Sequence, residues 1–180
     1  MIVSFITGNK NKFDEVRRVI PGLEQLDLDL PEIQAIDPRA IIKAKLVEAL
    51  NHHAGPFIVE DTSLYLQCLG GLPGPLIKWF MQGLGCHGIY DLARRYDNYR
   101  AEAKTIIGYA KSHDEILFFE GAVSGIIVVP ASESAFGWDP IFQPDGFGMS
   151  FAQMSREDKN KISMRGIAAQ KLKDYLENNA

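Results

Sequence analysis

Two adjacent acids, Glu60 and Asp61, follow the apolar run Phe57-Ile58-Val59 and precede two hydroxyls, Thr62 and Ser63. Carboxylates set beside a core strand are costly unless a cation, water or polar partner receives them. Oxygen donors of this kind suit Mg²⁺, which takes one or two carboxylates together with water and substrate phosphate oxygens. Taken alone, the segment reads more simply as a strand that ends in an acidic turn. Leu30-Pro31-Glu32 sets another carboxylate just beyond a strand. Ligands of α/β sheets gather where strand ends meet loops, so Glu32 could converge with Glu60 and Asp61 on one metal. A solvated loop glutamate accounts for the same residue.

Thr7-Gly8-Asn9-Lys10-Asn11-Lys12 lies between a strand and a helix. Backbone N–H groups at a helix start, with a glycine that lets a ligand approach closely, form an anion site. Lys10 and Lys12 add charge, and Thr7 and Asn9 add donors. The Gly-Lys-Ser/Thr ending of a P-loop is absent. An Asn cap flanked by solvated lysines is the alternative. Lys45 and Lys78 fall on helices beside apolar neighbours, where a snorkelling lysine is the default. Phe136-Gly137-Trp138-Asp139 suits stacking on a planar base and accepting hydrogen bonds from its edge, or else core packing with a turn aspartate. Between Lys159 and Arg165, cations stand before and inside the first turn of a helix capped by Ser163. They oppose the helix dipole, which favours an anionic ligand there. His52, His53, His87 and His113 lack zinc-type spacing, and no Ser-His-acid or Cys-His arrangement emerges. General-base work therefore falls to a carboxylate or a metal-bound water.

The elements that must position these residues alternate in period. Ile2 to Ile6 reads as a strand, Asn11 to Ile20 as a helix, and Leu23 to Leu30 as a half-buried strand. Pro38 to Leu50 reads as a helix and Phe57 to Val59 as a strand. After the turn-dense Gly70 to Pro75, the pattern predicts helices over Leu76 to Gln82 and Gly88 to Tyr96. It then predicts an antiparallel meander of three strands, Ala103 to Ala110, Ile116 to Glu120 and Ala122 to Val129. Pro130 to Met149 is loop-rich, and Ser163 to Leu176 is a closing helix. The order implies an α/β fold whose mixed sheet bends into two lobes around a cleft, within a single domain over residues 1–180. With 46% hydrophobic and 23% charged residues, the chain has the composition of an ordinary soluble globule. A net charge of −4 argues against polymeric nucleic acid or a membrane as partner. No apolar run approaches the roughly 18 to 20 residues that span a bilayer. Cys68 and Cys86 read as free thiols of a reducing cytoplasm.

Six segments stand in a telling order: Thr7 to Lys12, Leu30-Pro31-Glu32, Val59-Glu60-Asp61-Thr62, Gly70 to Gly74 with Ile77-Lys78-Trp79-Phe80, Phe136 to Pro140, and Ser163-Met164-Arg165. In register over nearly the whole chain, they resemble the inosine/xanthosine triphosphate pyrophosphatases, in the form of the eukaryotic-type branch. The resemblance implies an elongated mixed α/β fold with a central nucleotide-binding cleft, and a homodimer. It also implies Mg²⁺-dependent cleavage of non-canonical purine nucleoside triphosphates to the monophosphate and pyrophosphate, the chemistry of nucleotide-pool sanitation. It assigns Thr7, Gly8, Asn9, Lys10, Asn11 and Lys12 to the phosphates, and Lys45, Thr62, Lys78 and Lys159 to further substrate contacts. Glu32 and Asp61 would bind Mg²⁺, with Asp61 also orienting or deprotonating the attacking water. Phe136, Gly137, Trp138, Asp139 and Arg165 would hold the base. Glu60 is expected to support Asp61 from behind, since neighbouring strand residues point to opposite faces.

One position departs from the pattern. Met164 stands in the base-reading segment where the family has histidine. Methionine offers apolar contact and a weak acceptor but no N–H donor. A lost donor costs roughly 1 to 3 kcal/mol of discrimination, so a weaker or altered preference for inosine and xanthosine bases is expected. A pyrophosphatase for other modified or pyrimidine nucleotides and a non-catalytic nucleotide-binding module are the alternative readings.

Overall fold

The computed structural model describes residues 3–131 and 136–179. The chain divides into two compact units: Met1–Thr62 with Thr105–Gly121 and Met164–Ala180, and Ser63–Lys104 with Ala122–Ser163.

The first unit holds β1 (Val3–Ile6), α1 (Lys10–Val19), β2 (Leu23–Leu26), α2 (Pro38–His52) and α5 (Met164–Asn178), together with parts of three longer strands, β3 (Phe57–Leu66), β5 (Arg100–Ser112) and β6 (Glu115–Ile127). Strand β1 pairs parallel with both β2 and β3, Val3 opposite Leu23 and Ser4 opposite Phe57. Such pairing needs crossovers, which α1 and α2 supply. Alternation along β3 sorts the core onto two faces. Ile58 packs with Phe5, Phe13, Val16 and Leu172. Phe57 and Val59 pack with Ile6, Ile42 and Leu46.

The second unit holds β4 (Pro73–Gly74), α3 (Ile77–Arg95), β7 (Phe142–Pro144) and α4 (Arg156–Ile162), with the remainder of β3, β5 and β6. Strand β4 pairs antiparallel with β3, and β7 antiparallel with β6. Gly125, opposite Pro144, comes so close to β7 that a Cβ would lie 2.4 Å from the Gln143 carbonyl oxygen. Trp138 packs edge-on against Phe142 and Phe142 tilts against Phe151, with centroid spacings of 5.6 and 5.2 Å. Among the described residues the strands form one seven-stranded mixed sheet in the order β2-β1-β3-β5-β6-β7, with β4 on β3. No described helix is long and apolar enough to cross a membrane.

Several elements differ from the sequence expectation. The strand predicted over Phe57 to Val59 runs on to Leu66, so the acids sit in mid-strand rather than at its end. Strand β2 stops at Leu26 instead of Leu30, because its partner β1 ends at Ile6 and offers no further ladder; Leu28 and Leu30 still pack on the core. The three meander strands are two long ones joined at a two-residue turn, His113-Asp114. The two middle helices are one helix, broken where Gly85 adopts φ 63° and ψ −176°. Helix α4 was not foreseen, although Ser155 caps it by accepting from the Asp158 N–H. Ile2, the expected start of the first strand, and residues 132–135 of the predicted loop lie outside the described residues.

Candidate active site

Strand alternation separates the two acids of β3. Glu60 follows Ile58 onto the face shared with α1 and α5, and Asp61 follows Val59 onto the face of α2. On the first face the Glu60 side chain is 1% exposed and receives Lys12 Nζ at 2.6 Å and Arg165 Nε at 2.7 Å. Arg165 also donates from Nη1 to Glu15 and from Nη2 to Thr62 Oγ1 at 3.1 Å and Glu60 Oε1 at 3.4 Å. Four of its five N–H groups are thus committed within the chain. Thr62 Oγ1 in turn lies 2.8 Å from Thr105 Oγ1.

The cluster is charge-balanced, two cations against two carboxylates. Burial alone would push the Glu60 carboxyl up, but Arg165 and then Lys12 outweigh it and hold it down at about 2. Burial works against the Arg165 charge as well, yet Glu60 and then Glu15 raise its pKa still further. Arg165 is the second residue of α5, where the helix dipole disfavours a cation; the carboxylates of Glu60 and Glu15 meet that charge.

The loop before α1 is built as a helix cap. Asn9 Oδ1 accepts from the N–H groups of Asn11 (3.0 Å) and Lys12 (3.2 Å), and the Asn9 N–H donates to Thr7 Oγ1. Gly8 and Lys10 are exposed. Asp27 lies so close that a Cβ on Gly8 would be 3.1 Å from its Oδ1. Two N–H groups of the loop are thus already taken by Asn9 and the Lys12 ammonium by Glu60, so an anion binding here would have to displace them.

On the α2 face, Lys45 donates to Glu32, whose segment follows β2. Asp61 is 9% exposed on the same face of β3 as Phe57 and Val59. Among the described residues no group of three or more His, Cys, Asp or Glu gathers as a protein-only cage. Glu32 and Asp61 carry the kind of oxygen donors that Mg²⁺ takes, one or two carboxylates beside water and phosphate oxygens.

The second unit holds the other predicted contacts. Asp139, on a short 3-10 turn, accepts from buried Lys159 of α4 at 2.6 Å. The Lys159 ammonium also lies 5.7 Å from the ring centroids of both Phe136 and Phe151. Trp138 is buried edge-on to Phe142, and Gly137 holds φ 56° in the turn. Lys78 is exposed at the start of α3, 5.5 Å from the Trp79 ring. Met164, which opens α5 in the first unit, is only 2% exposed.

Three residues of these clusters escaped the sequence reading. Glu15 stands one turn after Lys12 on α1, a spacing that puts both on one face. Phe151 lies within the capping box that Ser150 and Gln153 form. Thr105 interrupts an apolar strand, and a buried hydroxyl of that kind demands a partner.

The Ham1 family matches residues 3–175. Inosine triphosphate pyrophosphatase of Schizosaccharomyces pombe is 38% identical over 179 residues, spanning 97% of this chain and 95% of its own length. Inosine triphosphate pyrophosphatase 2 of Trypanosoma cruzi is 43% identical, spanning 97% and 91%. Among solved structures, a HAM1 protein from Coxiella burnetii matches with a TM-score of 0.87 at 19% identity, over 99% of each chain. The Staphylococcus aureus Ham1 protein matches with 0.78 at 23%, over the full length of both. At those identities the two structures speak to the fold.

Proposed function

The chain belongs to the Ham1 family, and from that premise we propose that it is a nucleoside triphosphate pyrophosphatase acting on non-canonical purine nucleotides, inosine triphosphate foremost. It cleaves between the α- and β-phosphates, releases the monophosphate and pyrophosphate, and so clears aberrant nucleotides from the pool. The observation that carries this reading is 38 to 43% identity, along essentially the whole chain, to relatives named for that activity. A pyrimidine-directed enzyme and a non-catalytic binding module are not favoured.

The residue roles belong to the same proposal. Lys10, Lys12, Lys45 and Lys78 neutralise the triphosphate, with Thr7, Gly8, Asn9 and Asn11 shaping the loop that receives it. Phosphoryl transfer is mostly positioning and charge neutralisation, and this inventory supplies both. Glu32 and Asp61 would hold Mg²⁺, which when bound offsets charge on the phosphate oxygens. Asp61 orients the attacking water and accepts its proton. Phe136, Gly137, Trp138, Asp139 and Arg165 would hold the base, with Met164 beside Arg165 in the sequence, and Thr62 and Lys159 would supply further substrate contacts. A single catalytic domain, a homodimer and a cytoplasmic location complete the reading.

Its test is phosphate release from inosine triphosphate in Mg²⁺, with and without added inorganic pyrophosphatase. Phosphate should appear only when that enzyme is present. Phosphate released without it would mean that another bond is cut.

A further inference from the structure

The role proposed for Arg165 requires its guanidinium to be held still, and the chain meets that requirement on three sides. Glu60 and Glu15 fix two sides by charge. The third is Thr62 Oγ1, a neutral acceptor at 3.1 Å. Arginine can only donate, so Thr62 must turn a lone pair toward it. A hydroxyl rotor does so reliably only when something else fixes it. Thr105 Oγ1, 2.8 Å from Thr62 Oγ1 and on a fully buried residue, is that fixture. Strand parity explains the meeting: Thr105 shares the face of Ile107 and Tyr109 on β5, as Thr62 shares the face of Ile58 on β3. Most of β5 on this face is apolar, and a hydroxyl there is costly to bury without a specific partner.

We propose that Thr105 is a positioning residue for base selection, acting through the Thr62 hydroxyl to orient the Arg165 guanidinium; the proposal rests on the base-holding role given to Arg165 above. Thr105→Val keeps the shape and removes the hydroxyl, whereas Thr105→Ser keeps the hydroxyl and removes a methyl. In the full-length protein, Thr105→Val should raise KM for inosine triphosphate about fivefold, the size of one lost hydrogen bond. The inosine-over-adenosine triphosphate ratio of kcat/KM should fall by the same factor, with kcat within about twofold of the native chain. Thr105→Ser should restore the native ratio. Thr105→Ala, measured beside them, should behave as Thr105→Val does and serves in its place if the valine variant does not fold.

Thermal unfolding of each variant separates a structural role from a positioning one. Lower melting temperatures with an unchanged ratio would overturn the proposal, as would a serine variant no better than valine. A native chain with no preference for inosine would overturn the function itself and this proposal with it. A preference kept intact in Thr105→Val overturns this proposal alone.

Discussion

Glu60 and Asp61 are neighbours with opposite assignments, and strand geometry is the reason. Glu60 is spent on Lys12 and Arg165, while Asp61 faces α2, on which Lys45 holds Glu32. Asp61→Asn should therefore lower kcat at least about 100-fold, the scale of a lost general base, with the circular dichroism spectrum unchanged. Near-native turnover in that variant would remove Asp61 from the chemistry. Glu60 carries a stability signature instead. Its carboxyl takes up a proton near 4.5 when unfolded and near 2 when folded. Between those values the unfolded chain binds more protons, so acid favours unfolding. The stabilisation is complete above about pH 5 and fades as pH falls toward 2, up to about 3 kcal/mol. Urea midpoints of the native chain should decline over that window by more than those of Glu60→Gln; parallel profiles would show that Glu60 is not the group responsible.

At the level of elements, α5 is seated against β6 by the absence of a side chain. A Cβ on Gly121 would lie 2.0 Å from the Met164 carbonyl oxygen and 2.8 Å from the Ala168 nitrogen, backbone atoms that cannot yield cheaply. Gly121→Ala should cost about 3 kcal/mol and lower the melting temperature by roughly 10 °C, while exposed Ala122→Ser should cost nothing measurable. An unchanged melting temperature in Gly121→Ala would mean that α5 sits elsewhere. The sequence pattern read Gly121 as a break between strands; it is a close approach within one. The same kind of limit explains the shortened β3. Acids are depleted in strands, so Glu60 reads as a strand end until its arginine is known, and that arginine is 105 positions away. Thr62 and Thr105, 43 apart, were invisible as a pair for the same reason. Where periodicity is local, as in α1, α2 and α5, the boundaries fall within a few residues of those expected.

Across the whole molecule, the ordered motifs made the family legible before any geometry, because each carries a residue type that its site needs. What they could not convey is how far the site is already satisfied from within. In the first unit Lys12 and Arg165 meet Glu60, and Lys45 meets Glu32; in the second, Lys159 meets Asp139. On the proposed reading, substrate binding would be an exchange of partners: each phosphate contact by Lys12 or Lys45 would be offset by a carboxylate released, and a divalent cation would take up the one on Glu32. Met164 carries no N–H donor, so on the proposed reading base selectivity would fall on the other base contacts.

The most direct measurement is kcat/KM for inosine and adenosine triphosphates in Mg²⁺, with the products resolved by chromatography. Inosine triphosphate should be favoured at least about tenfold, the worth of one well-made hydrogen bond, and yield only monophosphate and pyrophosphate. Equal values for the two bases, or a diphosphate product, would contradict the assignment.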